Sequence, residues 1–248
     1  FFGVAILGAG ILMGGAWAYE ALSFGGFWAW DPVENSSLVP WLVLVAGSHL
    51  LLINRSKPGT AVTATYLMVG LSFLLVVYST FLTKSGILGD TSVHSFVDSG
   101  ILPQLLAFLM GCSGLFSAML LPPGNERKTY CAIQVALAIG VVVLNPALCL
   151  LGMLVVMALA GLRGHLNHLP RTDQESPLWT REFWMFVGGM LMFASAVHIT
   201  FQTSLPVFNH FLTPFSGLFQ ALYESTGSNL ARKLAAHKIG RASCRERV

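Results

Sequence analysis

Charge is scarce in this sequence. Of its 248 residues, 14 are Lys or Arg and 11 are Asp or Glu, about a tenth of the chain against roughly a quarter in soluble domains. That shortage excludes an ordinary soluble globular domain. The net charge of +3 carries no nucleic-acid signal, and no nucleic acid is expected as a partner. Cysteine is scarce too. None of Cys112, Cys131, Cys149 and Cys244 forms a Cys-x-x-Cys pair, and no Cys-x-x-Cys-His segment occurs, which argues against a c-type cytochrome and against a thiol oxidoreductase. Three of the four lie in apolar runs, where Cys acts as a small buried side chain. Repeats, low-complexity tracts and a separable soluble domain are all missing. So are an initiator Met and a basic stretch ahead of the first apolar run, which opens at Phe1 and does not have the form of a signal peptide. At the other end, residues 239–248 look like a sequencing-adapter oligonucleotide translated in one frame, with Lys238 adjoining. The expectation is a piece of a longer protein, with one membrane domain over residues 1–238 and a tail set aside from fold reasoning.

Long apolar runs are abundant. Hydrophobic residues make up 54% of the chain, and stretches without charge alternate with short polar segments, the pattern of a polytopic membrane protein. Lipid leaves helices as the economical way to satisfy backbone groups, so the fold class is all-α, a membrane helix bundle. About seven transmembrane helices are expected, near 1–20, 37–54, 60–82, 101–121, 129–144, 147–162 and 183–203. The fifth and sixth could form a hairpin turning at Asn145-Pro146 or one kinked helix. The basic segments are 54–57, 125–128 and 163–181, and placing all three on the cytoplasmic side requires the hairpin. Segments 21–36, 83–100 and 204–238 then share the opposite face.

The densest chemical feature is the loop 25–41, which holds three of the six tryptophans: Gly25-Gly26-Phe27-Trp28-Ala29-Trp30-Asp31-Pro32-Val33-Glu34-Asn35-Ser36-Ser37-Leu38-Val39-Pro40-Trp41. Glycines allow turns or close approach. Pro32 keeps Asp31 extended, and Asn35, Ser36 or Ser37 can cap the next helix. Two readings fit. One is an interfacial aromatic belt. The other is a platform for a flat, largely apolar ligand with a polar rim, held by ring stacking and edge hydrogen bonds.

This segment resembles the Trp-rich "WWD" signature of the CcmF/CcsA haem-handling superfamily. Its Trp-Asp-Pro-Val-Glu-Asn core is similar to the CcmF/NrfE branch of cytochrome c maturation haem lyases, and Trp17-Ala18-Tyr19-Glu20 fits the lead-in. Phe27 stands where the family often has Trp. The resemblance implies that Phe27, Trp28, Trp30, Asp31, Pro32, Glu34, Asn35 and Trp41 help bind haem at the external face.

Two histidines stand out. His49 lies inside a span, on one helix face with Trp41 and Val45 and about 12 Å along the helix from Trp41, near mid-membrane. An ionisable group there is a functional candidate: a neutral imidazole could ligate haem iron, or simply hydrogen bond to a neighbouring helix. The resemblance favours the axial ligand of a b-type haem. His94, by itself an ordinary loop histidine, follows Ser85-Gly86-Ile87-Leu88 and closes Ser92-Val93-His94, similar to the family's second signature, with Gly89-Asp90 as a small insertion. It is thereby implied as an iron ligand for the transferable haem. The partner ligands are expected outside this sequence. His198 sits in a span whose flanks, 179–183 and 203–206, resemble one that does not ligate haem. His165, His168 and His210 are expected at the surface, and His237 adjoins the tail.

The function implied is thioether formation between haem vinyl groups and the thiols of an apocytochrome c. The thiols are the nucleophiles; this protein would position the haem and tune its iron. Implied partners are haem, apocytochrome c, a haem chaperone, thiol-reducing and other maturation subunits, quinol and the lipid bilayer. The implied location is a bacterial inner membrane, with the aromatic loop and His94 on the periplasmic side. Two alternatives stay open: a haem exporter, and a membrane b-type electron-transfer protein.

Overall fold

The structure, a computed structural model, describes residues 1–21, 26–89, 91–92, 94–96, 100–143, 146–167 and 177–226. Gly25, Asp90, Val93, Asn145, His168, His237 and the tail 239–248 therefore lie outside the described residues. Two compact units divide the chain, residues 1–207 and 208–248.

Every regular element among the described residues is helical: α1 (Phe2–Ala21), α2 (Pro32–Ser56), α3 (Val62–Lys84), α4 (Leu102–Met119), α5 (Asn125–Val143), α6 (Pro146–Asn167) and α7 (Arg181–Thr226). The seven helices match the seven expected segments in order. Five of them contain stretches long and apolar enough to cross a membrane: α1, α2, α3, α4 and the part of α7 from Arg181 to Phe211. The other two, expected as the short spans 129–144 and 147–162, are α5 and α6. The first turn of α5 is Asn125-Glu126-Arg127-Lys128, and α6 supplies the shorter apolar stretch Leu151–Leu166. The two are separate, antiparallel helices: Leu137 packs where a side chain at Gly152 would stand, and Arg163 pairs with Glu126 at 3.2 Å. The hairpin reading holds.

Helix α2 is the central element. Half of its apolar stretch is buried, against 11% for α1, so α1 leaves most of its side chains uncovered by unit 1. Against α3, α2 runs antiparallel, with Gly47 beside Met68, Ser72 donating to the Pro40 carbonyl at 2.9 Å, and Ser36 Oγ 2.9 Å from Ser79 Oγ. Helix α7 meets α2 through Ala196, buried with Val39, Leu42 and Val43. Small residues let the backbones approach, the device that membrane helices use in place of a hydrophobic driving force.

Two boundaries differ from expectation. Helix α2 begins at Pro32, five residues early, because Asp31 caps it: Asp31 is extended (φ −60°, ψ 142°), its carboxylate accepts from Val33 N–H, and Glu34 reaches back to the cap backbone. Proline suits the first helical turn, where no N–H is needed. Much of the expected loop 25–41 is thus helix, and Asp31, not Asn35, Ser36 or Ser37, is the cap. Helix α7 continues to Thr226, so the segment expected to leave the membrane at 204 is helical as far as it is described.

The helix ends sort by charge. Arg55, Lys57, Arg127, Lys128, Arg163 and Arg181 all sit where α2, α5, α6 and α7 meet one end of unit 1, and Arg181 donates to Ser56 Oγ at 2.8 Å there. Glu20, Asp31, Glu34, Lys84 and His94 belong to the other end.

Candidate functional site

The turn ahead of α2 is shaped by its own side chains. Glu34 Oε2 accepts from Ala29 N–H at 2.8 Å and from Asp31 N–H at 3.3 Å, while Asn35 Nδ2 donates to the Trp30 carbonyl at 2.9 Å. These bonds hold Trp30 at φ +56°, a left-handed conformation that costs a non-glycine residue about 1–3 kcal/mol. Strain of this kind persists only where the surroundings enforce it. Its effect here is to push an indole outward: Trp30 is 63% exposed. Trp28 meets it edge-on, ring centroids 6.3 Å apart and planes at 86°. Trp28 is half-buried, and its Nε1 and Asn35 Oδ1 are buried with no partner among the described residues. Phe27 lies against α1, in the space that a side chain at Gly15 would take.

Asp31 joins this turn to the segment after α3. Its Oδ2 accepts from Val33 N–H at 2.9 Å and from Ser92 Oγ at 2.7 Å, and lies 3.3 Å from His94 Nδ1. The His94 contact is ion-pair range without the alignment of a straight hydrogen bond, so His94 Nδ1 counts as otherwise unpartnered. Ser92 Oγ in turn accepts from His94 N–H at 3.1 Å. Behind them the segment is pinned by Leu88, fully buried, whose carbonyl accepts from Thr91 and Ser92 N–H. An imidazole steered at Nδ1 by a carboxylate keeps Nε2 for a metal, the usual second-shell arrangement. Six of the expected site residues therefore gather at one end of the bundle: Trp28, Trp30, Asp31, Glu34 and Asn35 with His94. Phe27 borders them, and Pro32 serves as the first helical residue.

Trp41 does not join them. Ten residues into the helix from Asp31, about 15 Å along it, its Nε1 donates to the Val4 carbonyl of α1 at 3.0 Å, and its ring edge sits over Gly8. Trp41 fastens α1 to α2.

His49 forms a second, separate position. It is half-buried and faces α7, where a side chain at Gly189 would come within 3.5 Å of its Cβ. His49 Nδ1 lies 2.9 Å from the Val45 carbonyl; that acceptor sets Nδ1 as the protonated nitrogen and leaves the Nε2 lone pair available. Because α2 starts at Pro32, His49 lies about 25 Å along the helix from it and about 10 Å from Ser56, in the half of the span toward the basic end. No group of three or more His, Cys, Asp or Glu residues that could hold a metal ion occurs among the described residues. Each histidine can thus contribute a single axial ligand. His198 is exposed on α7, and His165 Nδ1 sits 3.1 Å from Thr63 Oγ1 at the basic end.

Sequence reasoning missed Ser92, although Ser-x-His spacing is the signal of a serine hydroxyl taking the backbone N–H two residues on. It also missed Lys84, whose ammonium lies 3.2 Å from the centroid of the Phe96 ring.

Residues 1–88, which hold the aromatic turn and His49, match the family model described as "Cytochrome C assembly protein". The chain belongs to the cytochrome c assembly family, of CcmF/NrfE type. It is 31% identical over 198 residues to the cytochrome c-type biogenesis protein CcmF of Escherichia coli, which covers 80% of this chain and 24% of that protein. Over 109 residues it is 45% identical to the CcmF of Pseudomonas aeruginosa, covering 43% and 16%, and over 139 residues 37% identical to the NrfE of Haemophilus influenzae, covering 55% and 21%. The chain thus spans a quarter or less of the length of these relatives. No solved structure matches it.

Proposed function

We propose that the whole protein handles haem in cytochrome c maturation, presenting it at the aromatic turn for attachment to a Cys-x-x-Cys-His apocytochrome c. The observation that carries this reading is the Asp31–Ser92–His94 link, which brings a ligand-type imidazole to the strained, exposed Trp30. The indoles of Trp28 and Trp30 offer faces to a flat macrocycle, and His94 Nε2 offers an axial nitrogen to its iron. Family membership supports the same reading independently.

The covalent step needs no nucleophile from this chain. An apocytochrome thiol adds across a haem vinyl group: the sulfur–carbon bond forms, and the thiol hydrogen passes to the neighbouring vinyl carbon. The protein's share is positioning, worth several kcal/mol where two reactants are held in line. His49 is the residue that would hold a resident b-type haem, and such a group supplies one-electron transfer, with quinol as the electron source. A haem chaperone and thiol-reducing subunits complete the set of partners. The clustered Lys and Arg at the other end argue for that end in the cytoplasm, with the aromatic turn and His94 on the periplasmic side of a bacterial inner membrane.

The test is a complementation assay in a bacterium lacking its own copy of the gene, with covalent haem on a periplasmic c-type cytochrome as readout. Trp30→Ala and His94→Ala should abolish covalent haem while the apocytochrome continues to be made. Wild-type yields from both variants would contradict the proposal.

A further inference from the structure

Lys84 occupies a singular place in the charge pattern. It closes the last turn of α3, and it is the one Lys or Arg among the described residues at the end of unit 1 that carries the aromatic turn; the others lie at the opposite end. Its level along the bundle follows from the contact between Ser36 and Ser79. Asp31 lies five residues before Ser36 and Lys84 five residues after Ser79, so each stands about 7.5 Å beyond that contact. The two residues therefore share a level on adjacent helices, whose axes are about 8–10 Å apart.

Lys84 is held in place without a counter-charge among the described residues. Its ammonium sits over Phe96, and Phe96 is fastened by its own N–H to the Thr83 carbonyl at 3.0 Å. No carboxylate among the described residues pairs with it. The two nearby acids are committed elsewhere: Asp31 to Val33, Ser92 and His94, and Glu34 to the backbone of Ala29 and Asp31. A cation resting on an aromatic face at a helix C-terminus is steadied there, and Lys84 is half-buried, not enclosed. Asp31 and Glu34 by themselves would repel an anionic ligand. A tetrapyrrole is apolar over its plane and carries its two carboxylates on one edge, so binding at this turn calls for a cation beside the indoles.

Resting on the haem reading above, we propose that Lys84 is the carboxylate-reading residue of the site: it receives a propionate of the haem held by Trp28, Trp30 and His94, and so fixes which edge of the macrocycle faces α3. A vinyl edge is then left toward the incoming thiols.

The experiment compares haem with its dimethyl ester, in which both propionates are neutral, on the full-length protein in detergent. Wild type should bind haem about five- to ten-fold more tightly than the ester, the range for a charge-assisted contact at a partly exposed site. Lys84→Met, which keeps the apolar stem over Phe96, should lose that preference by weakening haem binding alone; Lys84→Arg should keep it. Equal binding of the two ligands by wild type, a preference that survives in Lys84→Met, or its loss in Lys84→Arg would each overturn the assignment while leaving the haem site intact. Failure of wild type to bind either ligand would instead overturn the haem reading itself.

Discussion

Asp31 Oδ2 stands 3.3 Å from His94 Nδ1, and the same oxygen caps α2 through Val33 N–H. One carboxylate thus fixes the start of the central helix and steers a histidine from the segment after α3. Asp31→Ala should lower haem affinity at the aromatic turn about 10- to 100-fold, the usual cost of removing an orienting partner, without disturbing haem at His49. Haem titration of the full-length variant checks this; unchanged affinity would mean that His94 is oriented by something else.

Glu34 is expected to act on Trp30 from a distance. Removing its carboxylate in Glu34→Ala leaves Ala29 and Asp31 N–H without their acceptor and frees Trp30 from its left-handed backbone. Haem binding at the turn should weaken about ten-fold, since lost backbone acceptors cost roughly 1–3 kcal/mol. Glu34→Gln retains one amide oxygen and should recover most of that. Equal losses in the two variants would assign the role to charge.

Much of this was readable in the sequence, and the failures have physical causes. Apolar runs placed seven helices, and the separation of α5 from α6 followed from charge placement. The early start of α2 is written in Asp31-Pro32-Val33-Glu34 as a cap, a first-turn proline and an acid three residues on, inside a segment whose aromatic density also suits a loop. Trp41, placed with Trp28 and Trp30 by the family resemblance, stands about 15 Å along α2 from Asp31, a separation set by helical rise. The meeting of Asp31 with Ser92 and His94 is a tertiary contact, and residue patterns within either segment do not encode it.

Trp41 should behave as a structural tie. Trp41→Phe removes the hydrogen bond to the Val4 carbonyl and should lower thermal stability in detergent by about 1 kcal/mol, with haem affinity at the turn unchanged. A loss of affinity matching that of Trp30→Ala would return Trp41 to the site.

Glycines should divide by location. A methyl at Gly164 would stand 2.5 Å from the Leu120 carbonyl oxygen, backbone that cannot swing aside, whereas at Gly188 it would meet nothing within 4 Å. Gly164→Ala should destabilise the bundle by about 1–3 kcal/mol. Gly188→Ala should be neutral or stabilising by up to about 1 kcal/mol through helix propensity. Thermal melts of the two proteins in one detergent test the packing of α6 against the end of α4; equal melts would contradict it.

Two histidines, His49 within α2 and His94 in the segment after α3, are proposed to serve two different haems. The most direct test is the visible absorption spectrum of the full-length protein from membranes, beside His49→Ala and His94→Ala. The account predicts that His49→Ala loses a tightly bound b-type signal and that His94→Ala loses only exchangeable haem. Full wild-type spectra from both variants would contradict it and leave the two histidines as structural residues.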